Sequence, residues 1–189
     1  MGRMIVTKPV TETVTLLEAK NHMRVDGSDD DALIERCVSA ASRWAEVYTR
    51  RAFITQTWDI FFDSWAGIFN LPLSPLRAVV SVSYRTADDT VLLVSPSVYL
   101  IDTVSLPCRI MLRHGQNWPN NPLWQLNPVS IRIDVGYGLA SDVPDDIKAA
   151  ILLLAGYLYE NREQALKDTP RTLPFAAENL LMPYVAGWF

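Results

Sequence analysis

The stretch 144–163, PDDIKAAILLLAGYLYENRE, decides the fold. Pro144 suits the first position of a helix, where a missing N–H costs little. Asp145 and Asp146 follow in the first turn, beside the positive end of the helix dipole, and Arg162 stands near the negative end. From Ala149 to Tyr159 there is no charge. Ile147, Ile151, Leu154 and Leu158 recur at helical spacing on one face, and Leu153 and Tyr157 widen it. A helix apolar on most sides is buried on most sides. Its eleven uncharged residues are too few to cross a bilayer, which takes about 20. The pattern predicts a core helix about 30 Å long at ~1.5 Å per residue. Nothing in it suggests catalysis, so function has to come from elsewhere in the chain.

Upstream, Thr15-Leu16-Leu17-Glu18 reads as a capping box, with a short helix to about Arg24. Asp26-Gly27 is a turn. Ser28 or Asp29 then caps a longer helix ending near Arg50. Its apolar positions, Leu33, Ile34, Cys37, Val38, Ala41, Trp44, Ala45 and Tyr48, keep one face. That face is expected to pack on the core helix, with Trp44 and Tyr48 near Leu154 and Leu158. Glu35, Arg36, Arg43 and Glu46 lie on the other side. Downstream, 167–171 reads as a loop, and Pro174 opens a last short helix with Phe175, Leu180, Leu181 and Tyr184 on its apolar side. Pro183 ends or kinks that helix.

Between the helices the period changes to two. Ile54, Trp58, Ile60 and Phe62 alternate with Thr55, Thr57, Asp59 and Asp63, as in a half-buried strand. Val80, Val82 and Tyr84 form another strand, and after the turn at 87–90 residues 91–94 return as its hairpin partner. Residues 99–102 and 109–112 are further strands. Val129, Ile131, Ile133 and Val135 against Ser130, Arg132 and Asp134 make the cleanest alternation, ended by Gly136-Tyr137-Gly138. The fold class is therefore α+β: one domain over 1–189, with a helical core of about four helices at 14–51 and 143–185. A β-rich insertion at 52–138 separates the second helix from the third. Helices from both ends must meet to bury their faces.

The bulk composition agrees with a single globular domain: 189 residues, 49% hydrophobic and 20% charged. A formal net charge of −4 argues against a dedicated nucleic-acid binder, which carries a basic stripe, but allows DNA to pass nearby without sticking. Cys37 and Cys108 have no short spacing, so neither a disulfide framework nor a zinc site is indicated, which fits a reducing compartment. Residues 1–10 lack the apolar run of a signal peptide. Val6 stands where a myristoylation motif needs Ser or Thr.

The acidic run 26–31 does not fit a calcium loop, since Asp31 occupies the glycine position and Cys37 the glutamate position. A nucleophile needs an adjacent base. His22 reads as a helix surface residue, His114 sits at a loop edge, and Cys37 lies on an apolar helix face. Gly136-Tyr137-Gly138 lacks the third glycine and the lysine of a phosphate loop. Glu160 and Glu163 read as a solvated helix end. Catalytic, metal and cofactor residues are accordingly none. Arg43, Arg50 and Arg51 form a modest basic cluster suited to an acidic surface on another subunit, such as Asp29, Asp30 and Asp31; solvated helix charge is the alternative. The loop 114–127 carries Trp118 and Trp124, either as anchors for a partner or folded back as a lid on the sheet. Tyr184, Val185, Trp188 and Phe189 end the chain, beyond Pro183.

Four stretches in succession carry a resemblance: TLLEAKNHMRVDGSDDDALIERCVSAASRWAEVYTRRAFITQTW at 15–58, LPLSPLRAVVSVSY at 71–84, VGYGLASDVPDDIKAAILLLAGYLYENRE at 135–163, and LPFAAENLLMPY at 173–184. Together they resemble the head–tail connector (adaptor) family of tailed bacteriophages, prophages and gene transfer agents. The loop 114–127 matches least. The resemblance implies a structural virion protein, not an enzyme, that assembles in the host cytoplasm and resides at the head–tail junction. It implies a ring of roughly twelve identical subunits below the portal protein, closed by head-to-tail contacts. Such a ring extends the DNA channel, with DNA passing through its lumen without sequence-specific binding. It also offers a platform to the next head-completion or tail protein. No cofactor and no membrane are implied. In similar adaptors C-terminal segments dock into the portal, so Tyr184, Val185, Trp188 and Phe189 either do this or tuck back on their own helices. The alternative reading is a small-molecule enzyme or soluble binding module using the β-rich middle, which predicts an enclosed pocket with perturbed titratable groups.

Overall fold

The computed structural model describes residues 1–161 and 175–186. They contain four α-helices and eight strands in antiparallel sheets, with the β-rich region between the second and third helices, an α+β fold. The chain clusters into two compact units, each described by itself.

The helical unit comprises Val10–Ile54 and Gly138–Val185. Helix α1 (Leu16–Met23) starts on the expected capping box. The Glu18 N–H donates to the Thr15 hydroxyl at 3.2 Å, and the Thr15 N–H donates to the Glu18 carboxylate at 2.7 Å. These bonds satisfy two donors that a helix start otherwise leaves open. Helix α2 (Asp31–Thr49) begins one or two residues later than its predicted caps. Asp30 makes no side-chain cap; its carboxylate accepts the Tyr159 hydroxyl instead. Both helices end on an arginine in the left-handed region, Arg24 at φ 57 and Arg50 at φ 56. Helix α3 (Asp145–Glu160) follows Pro144 directly, with Asp145 and Asp146 in its first turn.

Helices α2 and α3 pack on each other. The buried stripe of α2 is Ile34, Cys37, Val38, Ala41, Ser42, Ala45 and Thr49, and that of α3 is Ile147, Ala150, Ile151, Leu154 and Ala155. Alanines on both stripes allow a close approach of the backbones, since interaxial distance follows the side chains at the contact. Trp44 and Tyr48 do not share this stripe. They stand half-buried beside it, rings stacked at 4.9 Å with 14° between planes. Helix α4 (Phe175–Leu181) packs on α3, burying Ala177 and Leu181 and leaving Phe175 exposed. Arg162, Glu163, the loop 167–171, Pro174, Gly187, Trp188 and Phe189 lie outside the described residues.

The sheet unit comprises Met1–Pro9 and Thr55–Tyr137, together with Ala186. Its larger sheet has five strands: β1 (Gly2–Thr7), β2 (Gln56–Phe62), β4 (Leu76–Arg85), β5 (Val91–Leu93) and β8 (Val129–Val135), in the order β1-β2-β8-β4-β5. A second sheet has the order β3-β7-β6, from β3 (Ile68–Leu71), β6 (Tyr99–Asp102) and β7 (Cys108–Leu112). The clean alternation of β8 places it at the centre. Val129, Ile131, Ile133 and Val135 are fully buried, and Ile131 sits opposite both Ile60 and Val82. The other face is polar and paired. Arg132 donates to both carboxylate oxygens of Asp59 at 2.8 Å, and the Thr57 hydroxyl donates to Asp134 at 2.7 Å.

Strands β1 and β3 add to the sequence reading, which left both stretches without structure. In β1, Arg3 and Thr7 interrupt any alternation. In β3, four residues lie between Gly67 and Pro72 and look like loop. Each is specified by its neighbour, β2 for β1 and β7 for β3, rather than by its own pattern.

Candidate functional site

The acids and bases expected at a subunit contact meet different fates within the helical unit. Asp31 is held by the Lys20 ammonium at 2.6 Å, tying α1 to the start of α2. Asp30 takes the Tyr159 hydroxyl of α3. Asp29 is exposed. On the basic side, the Arg51 guanidinium donates to the Tyr184 carbonyl at 2.5 Å, and Arg43 is exposed on α2. Arg50 occupies the left-handed cap of α2. Asp30, Asp31 and Arg51 thus serve the subunit's own packing. Tyr184 is tied a second time, its hydroxyl donating to Asp146 at 3.2 Å, while Val185 is exposed.

The long loop is fastened to the sheet unit. Tyr84 donates to the Asn121 side chain at 3.0 Å, the Trp124 N–H donates to the Arg85 carbonyl at 2.9 Å, and Thr86 and Leu123 form a bridge. Trp118 is half-buried in an aromatic cluster. Its ring stacks on Trp65 at 4.9 Å with 6° between planes and meets Phe69 edge-on at 5.5 Å. Its indole N–H donates to the Ala66 carbonyl at 2.8 Å. Trp124 is half-buried under the Arg85 guanidinium, 4.5 Å from the ring centre.

The shifted titrations belong to a helix cap, to turns and to the strands. The Ser105 hydroxyl, then Arg109, hold the Asp102 carboxyl far below the usual carboxylate range, at the end of β6. Burial raises Tyr99 on the same strand. The Thr86 hydroxyl lowers Asp88, and the Thr15 backbone N–H lowers Glu18. Asp59 raises Arg132. A groove of about 540 Å³ lies in the helical unit, lined by Val14, Leu16, Ala32 and Val38 with Glu12, Glu35 and Arg36 among its polar members. None of the shifted groups lines it. Among the described residues no cluster of His, Cys, Asp and Glu could hold a metal ion, and no helix is long and apolar enough to cross a membrane.

Of the two outer strands of the five-stranded sheet, sequence reasoning found β5 as the hairpin partner at 91–94 and passed over β1. Strand β5 exposes all three of its residues, Val91, Leu92 and Leu93, and β1 exposes Met4 and Val6. The signal for β5 was the uncharged triplet VLL beside an acidic turn.

A family model described as Phage gp6-like head-tail connector protein matches residues 13–89. No curated protein matches significantly. Among solved structures, the fold is similar to a chain in the neck of an empty gene transfer agent particle computed with C6 symmetry. The TM-score is 0.81 at 22% identity, covering 100% of this chain and 97% of that one. A chain in the virion of a native gene transfer agent particle gives a TM-score of 0.82 at 22% identity with the same coverage. One in the neck of a native particle computed with C12 symmetry gives 0.77 at 22% identity, over 98% of this chain and 97% of that one. The sequence similarity to head–tail connectors thus covers residues 13–89, and the similarity in fold to these neck and virion chains covers the whole chain.

Proposed function

We propose that this chain is a head–tail connector: a structural protein, not an enzyme, forming a ring of roughly twelve copies below a portal. The ring extends the DNA channel and carries the next head-completion or tail protein. The whole chain, both units, acts as one connector body in the particle after assembly in the host cytoplasm. The observation that carries this reading is a fold match running the full length of the chain, together with the family match at 13–89. The groove in the helical unit lacks the shifted titratable groups that a small-molecule enzyme would use.

Within that reading, the charged contact between neighbours narrows to Asp29 against Arg43, because Asp30, Asp31 and Arg51 already have partners at home. Rim charges set register and rate of association more than affinity. Arg43→Glu should slow ring assembly at low salt, and Asp29→Arg in the same chain should restore it. Trp124 remains a candidate anchor for the next protein, and Trp188 with Phe189 for the portal, where many weak tails bind together.

The decisive experiment removes the protein from particle-producing cells. DNA-filled heads that leak and fail to join tails, rescued by the wild-type chain, are the expected result. Fully infective or transfer-competent particles lacking this chain would overturn the proposal.

A further inference from the structure

The five-stranded sheet has two open edges, and they are complementary. Strand β5 bonds only to β4 and strand β1 only to β2 among the described residues. The Val94 N–H donates to Val82 and the Thr86 N–H donates to Thr90, so the ladder bonds of the β5 edge fall on alternate residues, 90, 92 and 94. Antiparallel pairing then turns the N–H and C=O of Val91 and Leu93 outward. Their side chains are 64% and 74% exposed. Folded proteins blunt such edges with charge, proline or a bulge. Strand β5 has no charge and no proline; β1 has one arginine and a register shift between Ile5 and Thr7, and exposes Met4 and Val6.

The flanking charges are opposite. Residues 1–11 carry Arg3 and Lys8 and no acid; the turn before β5 carries Asp88 and Asp89, of which Asp89 is paired with Arg85 at the end of β4 and Asp88 faces no base of its own turn. The Thr86 hydroxyl lowers the Asp88 pKa, which favours its charged form. The two edges lie at opposite ends of one sheet, so a contact between them is heterologous and propagates around a ring instead of closing a two-fold dimer. All neighbours in the sheet are antiparallel and there are five strands, so β1 and β5 run in the same sense. A copy related by a small rotation then brings the start of its β1, with Arg3, to the start of β5, with Asp88 and Asp89.

We infer that neighbouring copies join edge to edge, β5 of one against β1 of the next, so that the five-stranded sheets continue from subunit to subunit. This is strand addition with a second copy of the same chain as occupant, and it rests on the ring reading above.

The test is a pair of substitutions at one position. Leu93→Pro removes only an outward N–H and no ladder bond, which an edge strand tolerates. Leu93→Lys leaves the backbone untouched and puts a charge at the junction, so a folding defect in one variant does not end the test. Mass photometry with portal present measures ring formation, and thermal unfolding of the isolated protein checks the fold. A third variant, Val6→Cys with Val91→Cys, which the register with Arg3 opposite Asp88 brings together, should give a ladder of disulfide-linked multimers on oxidation. The native Cys37 and Cys108 are buried and contribute little background. The expected result is wild-type rings, variants that melt like the wild type yet stay monomeric, and the covalent ladder. Rings that form equally well with both Leu93 variants and give no ladder overturn the edge pairing and leave the ring standing. A wild type that forms no ring with portal overturns the ring reading, and the pairing falls with it.

Discussion

Replacing Trp118 with alanine separates a packing role for the long loop from a partner-binding one. Trp118 is half-buried, stacked on Trp65, edge-on to the fully buried Phe69 and bonded to the Ala66 carbonyl. Removing roughly 100 Å² of buried ring costs about 2.5 kcal/mol at about 25 cal/mol per Å². Losing the stacked geometry adds about 0.5–1.5 kcal/mol, and losing the indole hydrogen bond about 0.5–1.5 kcal/mol. The whole comes to roughly 3.5–5.5 kcal/mol, at the upper end of the usual range for a large aromatic cut to alanine. Urea unfolding of the isolated protein measures this directly, and near-UV circular dichroism should lose the band of the stacked indoles. Trp118→Phe should recover part of the stability, since it keeps the edge contact with Phe69 and loses the N–H. A Trp118→Ala protein within about 0.5 kcal/mol of wild type, but unable to bind its neighbour in the particle, would refute the reasoning and make Trp118 an anchor.

Leu154 lies on the α2–α3 contact and is 1% exposed, so Leu154→Ala should cost ~2–5 kcal/mol in the same unfolding assay; a change of a few tenths would remove α3 from the core. Thr15→Ala should cost about 1 kcal/mol by opening the capping box. The Glu18 pKa is lowered in the fold, so the stabilisation from its bonds is present above about 4.3, the unfolded value. It is lost as pH falls through the folded value, so the Thr15→Ala penalty measured by thermal unfolding should shrink in acid. Asp102 accepts the backbone N–H groups of Val104 and Ser105. Asp102→Ala should speed hydrogen exchange at both amides, and in the wild type their protection should persist well below the usual carboxylate range, because the Asp102 pKa is lowered.

Local signals were legible where one residue pattern had one explanation. The Thr15–Glu18 box, the charge-free run of α3 and the alternation of β8 each correspond to a regular element. What escaped depended on partners far away in sequence. Strand β1 exists because β2 offers it an edge, more than fifty residues later. Trp44 and Tyr48 keep helical spacing with the buried stripe, yet Ala41 and Ala45 are buried while the two rings stay half-buried and stack on each other. Among the candidate charges, sequence gave the residue types and not their pairing. Asp31 and Lys20 are eleven residues apart, and Asp30 and Tyr159 are in different halves of the chain. No periodicity announces such pairs.

The position of β8 has a consequence for synthesis. It is the last strand to be made, and it is the middle one. Until residue 135 has left the ribosome, β1 with β2 and β4 with β5 are two half-sheets with nothing between them, each showing an apolar edge. The helical unit waits longer, since α2 gains its main partner only when α3 emerges. At about 5–20 residues per second, this exposes unpaired edges for seconds during every round of translation. The segment 13–89, which carries the family match, contains neither β8 nor α3. Expressed alone it should aggregate, and a chain cut short anywhere before residue 129 should be cleared by the cell rather than act as a partial connector.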